Sequence, residues 1–209
     1  CYACQVACKM QNEVALGLAW NQVKIVGPVG EYPNMVRYPL PTMCQECENA
    51  PCLEVCPTGA TYRDEETGVI LIDSEQCIGC QACMQACPYG QRCYNEQAGV
   101  VEKCNLCHDL TAKGELPACV KSCSAGARFY GDLDDPESDV SKELAKYSED
   151  QIHTLPDTGN APLTKYIITS MHGENAWQTD FFYVFSLKLG PQSGVSSCAA
   201  TTPHPLLHG

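Results

Sequence analysis

The chain has 209 residues, a formal net charge of −12 and 17 cysteines. The acidic balance argues against nucleic acid and against an anionic membrane surface as partners, and no apolar run of about 18 residues is available to span a bilayer. Leu, Ile, Val and Phe make up only about a fifth of the residues, a composition at the edge of the disordered class, so something other than an apolar core must hold the fold.

The chain opens on Cys1, Cys4 and Cys8, spaced by two and then three residues. Residues 9–41 form a connecting segment with strands expected at Val23–Val26 and Met35–Tyr38. A second cysteine group follows: Cys44, Cys47, Cys52 and Cys56, then Pro57. Val69–Ile72, behind a Thr67-Gly68 turn, reads as a short strand. The third group is the sharpest, with Cys77, Cys80, Cys83, Cys87 and Pro88. The fourth is Cys104, Cys107, Cys119 and Cys123, with a long insert and Ser124 in the place of the proline. Behind Cys56, Cys87 and Cys123 stands the same short phrase, with a glycine three residues on (Gly59, Gly90, Gly126) to take the positive-φ turn into an extended segment. Asp132–Asp135 leads into a helix, with Asp135 as the expected N-cap, Pro136 at the first position, and Val140, Leu144 and Tyr147 on one apolar face. After about residue 150 the chain is rich in Pro, Gly and Thr. It reads as mostly irregular apart from a strand at Tyr166–Thr169, with Phe181–Phe185 as a further strand or docking patch. Such a tail can bury little of itself and is expected to lie along a partner.

The third group is the bacterial ferredoxin run, C-x2-C-x2-C-x3-C-P. A cubane cluster needs thiolates at the corners of a small tetrahedron. A tight loop wraps three of them round one cluster, and the x3 step carries the fourth away to the other cluster of a pair. Runs therefore work in twos. Four runs imply two pairs and four 4Fe-4S clusters, and fifteen of the cysteines fall in these runs. The remaining thiolate is expected three residues before Cys1 in the natural protein. Disulfides are the first competing reading, but repeated x2 spacing capped by Cys-Pro is not a disulfide pattern. Zinc is the second, but four ligands suffice for zinc and the third cysteine of each run would be surplus. Cluster bonds replacing an apolar core imply folding coupled to cluster insertion and assembly in a reducing compartment. Every ligand set is closed, so no catalytic residue is assigned.

The fold class expected is α+β with much irregular structure: two nested bacterial-ferredoxin-like modules plus an extended C-terminal tail. The inner module takes residues 42–97, the outer one residues 1–41 with 98–135, and the helix and docking tail residues 136–209.

The words "CYACQVACK", "CQECENAPCLEVCPTGA", "CIGCQACMQACPYG", "KCNLCHDLTAKGELPACVKSC" and "GDLDDPES" resemble the electron-transfer subunits of molybdopterin oxidoreductases, such as the iron–sulfur subunits of dimethyl sulfoxide reductase, polysulfide reductase and formate dehydrogenase. The likeness covers residues 1 to about 141. It pairs the first run with the fourth and the second with the third. One cluster would then use Cys44, Cys47, Cys52 and Cys87, and a second Cys77, Cys80, Cys83 and Cys56. A third would use Cys104, Cys107, Cys119 and Cys8, and the last Cys1, Cys4, Cys123 and the upstream cysteine. Some relatives hold a 3Fe-4S cluster where one thiolate of the fourth run is replaced; here all four are cysteine. The resemblance implies a large catalytic subunit carrying a molybdenum or tungsten pterin, with a membrane anchor or quinone-reactive subunit as a further partner. It places the complex on the outer face of the cytoplasmic membrane, exported with that partner, the cytoplasm being the alternative. A free-standing polyferredoxin shuttle is the rival function. Outside the runs, Cys93 and Cys198 read as buried or free thiols, and His108 as a residue beside the ligands. Trp20 and Trp177 read as packing, and Lys103 as either a charge near a cluster or an ordinary solvated lysine.

Overall fold

No element runs far before a thiolate has to be turned inward, and the secondary structure is accordingly short. The computed structural model describes residues 1–33, 35–168 and 181–184. Helix α1 spans Ala3–Gln11 and carries Cys4 and Cys8 on its buried side. Strands β1 (Gln22–Val29) and β2 (Val36–Thr42) contain the two strands expected in the connecting segment and pair antiparallel, Gln22 opposite Thr42 and Val26 opposite Tyr38. Pro39 and Pro41 are tolerated on β2 because it borders only one strand.

Three repeats of a cysteine turn and a strand follow. Helix α2 (Pro51–Glu54) leads through Cys56 to β3 (Thr61–Arg63), which pairs with β4 (Ile70–Ile72). Helix α3 (Ala82–Gln85) leads through Cys87 to β5 (Arg92–Asn95), which pairs with β6 (Val100–Lys103). Helices α4 (His108–Thr111) and α5 (Ala118–Lys121) lead through Cys123 to β7 (Arg128–Phe129). Gly59, Gly90 and Gly126 sit at φ +68°, +60° and +61°, one positive-φ turn used three times. Helix α1 packs against α5, and α2 against α3.

Helix α6 is Asp139–Leu144, starting later than the sequence reading puts it. Asp135 is not its cap: the Asp135 carboxylate accepts the Glu137 N–H in the preceding turn. Ser138 is the N-cap, its Oγ accepting the Ser141 N–H at 3.2 Å. The expected face is where it should be, with Val140 fully buried among Phe129, Leu133, Leu144, Tyr147 and Ile167.

Beyond α6 the chain departs from the sequence reading. Residues 152–168 return to the cysteine loops instead of trailing irregularly. Strands β8 (Ile152–His153), β9 (Lys165–Ile168) and β10 (Phe181–Val184) join β7 in one sheet of order β7-β10-β9-β8. Strand β10 runs parallel to β7 and antiparallel to β9, so the backbone of 181–184 is paired on both sides within the chain. The loop ahead of β9 is held by side chains that composition does not reveal: Asp157 accepts the N–H groups of Gly159 and Ala161 at 2.8 and 3.0 Å. Trp177, Phe185 and Cys198 lie outside the described residues. Among the described residues apolar packing is split into several small clusters, with cysteines built into most of them, and no helix is long and apolar enough to cross a membrane.

Candidate metal centres

Within each C-x2-C loop the residue before the second cysteine takes the left-handed conformation: Glu46 at φ +43°, Gly79 at +64° and Leu106 at +54°. That turn curls the loop so that both thiols face one side. At position 79 only glycine fits, since a Cβ there would run into the Gly99 carbonyl oxygen.

The loops gather cysteines from different runs. Cys8, at the end of the first run, lines one cavity with Cys104, Cys107 and Cys119 of the fourth. Cys56, at the end of the second run, lines another with Cys77, Cys80 and Cys83 of the third. Cys44, Cys47 and Cys52 are buried together, and Cys47 interacts with both Cys44 and Cys87. Cys4 packs with Val23 and Cys119. Cys123 follows α5, the helix packed on α1, while Cys1 is exposed. Among the described residues no three His, Cys, Asp or Glu side chains converge closely enough for a single metal ion. The thiols ring a space instead, as a polynuclear cluster requires and a mononuclear zinc site does not.

Hydrogen-bond donors surround the sulfurs. The repeated turn delivers backbone N–H groups: Thr61 to Cys56 Sγ at 3.5 Å, Tyr89 to Cys87 Sγ at 3.0 Å and Ala127 to Cys123 Sγ at 3.3 Å. Side chains add more. Arg92 Nη2 donates to Cys52 Sγ at 2.8 Å, and Asn160 Nδ2 to Cys47 Sγ at 3.0 Å. Asn12 Nδ2 reaches Cys107 Sγ at 3.6 Å and Cys8 Sγ at 3.8 Å. Sequence reasoning missed all three residues. Arg92 had a signal: it is the fifth residue after Cys87, as Thr61 is after Cys56 and Arg128 after Cys123, and all three are buried. Asn160 had none, being 113 residues from Cys47.

The solvated-lysine reading of Lys103 is corrected. Its side chain is 1% exposed, bonded to Glu46 Oε1 at 3.2 Å and to the Cys104 carbonyl at 2.6 Å. His108 lies apart from the thiols, with Nε2 3.8 Å from the Asp64 carboxylate. Trp20 lines the Cys8 cavity and donates from Nε1 to Glu102 at 3.2 Å. Cys93 is fully buried on β5.

The electrostatics fit an iron–sulfur occupant. Burial, then the neighbouring Cys119 and Cys107 thiols, push Cys8 up to about 12. Burial, then Glu46, do the same to Cys44. Burial also raises Cys47, Cys52, Cys83, Cys104 and Cys119. Such thiols ionise only where a cationic metal core compensates them. Cys56 goes the other way: burial pushes it up, but hydrogen bonds from Thr61 and Thr58 outweigh that and hold it below its ordinary value. Two buried donors on the cavity walls, Arg92 Nε and Asn21 Nδ2, have no partner within the protein, and inorganic sulfide would supply acceptors for them. When bound, 4Fe-4S clusters take up and release single electrons.

The profile of the 4Fe-4S dicluster domain family matches residues 35–133. Among curated relatives, the thiosulfate reductase electron transfer subunit of Salmonella typhi is 46% identical over 66% of this chain and 72% of its own length. The corresponding subunit of the sulfite dehydrogenase of Allochromatium vinosum is 36% identical, over 80% of this chain and 77% of its own length. That of the tetrathionate reductase of Salmonella typhimurium is 36% identical, over 80% and 67%.

Proposed function

From the premise that this chain belongs to the 4Fe-4S dicluster family of iron–sulfur electron-transfer subunits, we propose that it relays electrons through four 4Fe-4S clusters to or from a catalytic subunit carrying a molybdenum or tungsten pterin. The clusters are held in two nested modules. In the inner one, Cys44, Cys47, Cys52 and Cys87 hold one cluster, and Cys77, Cys80, Cys83 and Cys56 the other. In the outer one, Cys104, Cys107, Cys119 and Cys8 hold a third; Cys1, Cys4 and Cys123 contribute to the fourth, whose remaining thiolate is expected upstream of Cys1.

The observation that carries this reading is the crossing. The last cysteine of one run shares a cavity with three from another, as Cys56 does with the third run and Cys8 with the fourth. The chain's own residues supply thiolates, N–H donors to the sulfurs and a water-poor surround. Relatives named as subunits of sulfur-compound reductases and dehydrogenases support a partner of that enzyme class. The chain beyond residue 184 is expected to contribute to that interface. A membrane anchor or quinone-reactive subunit completes the complex, and it works on the outer face of the cytoplasmic membrane, exported with its partner.

Two measurements on anaerobically purified native complex test the reading. Iron and acid-labile sulfide near sixteen each per chain are expected for four clusters. Cys56→Ser must perturb the same EPR signal as Cys77→Ser and a different one from Cys47→Ser. If Cys56→Ser and Cys47→Ser perturb one common signal, the crossing is wrong. A stable monomer with all clusters loaded would favour a free electron shuttle.

A further inference from the structure

Two buried cations stand between the ligand sets, and they are not equivalent. Lys103 is near Cys44 and Cys104, thiols assigned to different clusters, but its charge is matched by Glu46. Arg92 has no such match. It is fully buried, and among the described residues no carboxylate pairs with it. Nη1 donates to Thr61 Oγ1 and Nη2 to Cys52 Sγ, both at 2.8 Å. The guanidinium also hydrogen-bonds the Cys83 thiol. Cys52 and Cys83 belong to the two different clusters of the inner module.

We propose that Arg92 is a fixed countercharge shared by the two inner clusters, raising both of their reduction potentials together. The proposal rests on the ligand sets given above. A cluster bound by four thiolates is a dianion when oxidised and gains a further negative charge on reduction. A cation held in a low-dielectric interior therefore stabilises the reduced form more than the oxidised one. Because one guanidinium touches thiols of both sets, both couples feel the same charge. Because guanidinium keeps its proton at every accessible pH, the offset does not vary with pH, unlike that of a titrating neighbour. Thr61, the residue equivalent to Arg92 in the other half of the repeat, accepts from it and fixes the fork between the loops. The two halves thus share one cation.

The test is a redox titration of the anaerobically purified complex followed by EPR, with Arg92→Gln and Arg92→Lys. Arg92→Gln keeps a hydrogen-bond donor and removes the charge. It is expected to disfavour reduction of both inner clusters at least tenfold, 59 mV for a one-electron couple, while the cluster at Cys8, Cys104, Cys107 and Cys119 stays put. Arg92→Lys is expected to keep both inner potentials nearer wild type than Arg92→Gln does. The proposal is overturned if Arg92→Gln moves neither inner couple, moves only one, or moves every cluster alike. Should Arg92→Gln fail to load iron, Arg92→Lys decides: full loading with both potentials retained supports the shared charge, and failure to load overturns it. The serine variants described above test the ligand sets independently, in protein where Arg92 is intact.

Discussion

Replacing Lys103 by methionine keeps most of the side-chain volume and removes the charge. Glu46 is then left with the Ile70 N–H, at 2.9 Å, as its one remaining hydrogen-bond donor. Both members of the pair have side chains 1% exposed, so water cannot replace the ammonium without opening the fold. Attraction across 3.2 Å is worth about 5 kcal/mol at an effective dielectric of 20. Breaking a buried pair from one side costs about 3–5 kcal/mol, a large share of the ~5–15 kcal/mol that holds a typical domain together. Iron-loaded protein unfolds irreversibly, so the readout is the rate of cluster bleaching in denaturant under anaerobic conditions. Lys103→Met is expected to speed bleaching by about two orders of magnitude or more, given tenfold per 1.4 kcal/mol. Lys103→Met with Glu46→Gln should recover much of the loss, since no unpaired charge remains. Burial lowers the Lys103 pKa, but the charges of Cys44, Glu46 and Cys104 outweigh it and leave the pKa above 10.5. The stabilisation from Lys103 is therefore complete below 10.5 and fades as pH rises through the raised value, so the gap between wild type and variant should be flat across neutral pH and close only in strong alkali. A single variant that bleaches at the wild-type rate, or a double variant worse than either single one, would show that the pair is not buried as described.

Gly79→Ala combines a positive φ with a collision against the Gly99 carbonyl; iron analysis should show about one cluster lost, with the signal assigned to Cys56, Cys77, Cys80 and Cys83 the one that disappears. Val140→Ala empties a fully buried site between α6 and β9, and a cost of about 2 kcal/mol is expected in thermal melts, with iron content unchanged because no thiol lies in that cluster. Asn160→Leu removes the donor to Cys47 Sγ; redox titration should show the Cys44, Cys47, Cys52 and Cys87 couple shifted to lower potential with the others unmoved.

The sites were legible in sequence because cluster ligation imposes spacing. A thiolate three residues from the next can sit on one cubane, and the positive-φ glycine behind Cys56, Cys87 and Cys123 marks where each loop must turn. The strands at Val23–Val26 and Val69–Ile72 were legible because β-branched residues crowd there. What surrounds the sulfurs was harder to read. Arg92 is a charged residue at a buried strand start, and only its register against Thr61 and Arg128 betrays it. Lys103 looks like any lysine until Glu46, 57 residues away, is seen beside it. The start of α6 shifted because Asp135 and Ser138 are both good caps, and Ser138 won through its bonds to Ser141 and to the Asp132 carbonyl. Asn160 sits in a stretch whose composition signals irregularity, and its hold on the cysteine loops comes from tertiary hydrogen bonds that no local pattern encodes.

The loop that carries Asn160 also bears on how the protein is made. Asn160 covers the Cys47 sulfur and bonds the Tyr89 hydroxyl, while the backbone at 160 and 161 clasps Asn49 and Glu48. Residues 157–161 leave the ribosome long after every cysteine run has emerged. The pocket at Cys44, Cys47, Cys52 and Cys87 therefore stays open on that side throughout translation of the runs and is shut by the stretch just before β9. Synthesis itself provides an interval for delivering iron and sulfide, and the finished chain ends that interval by fastening its own latch.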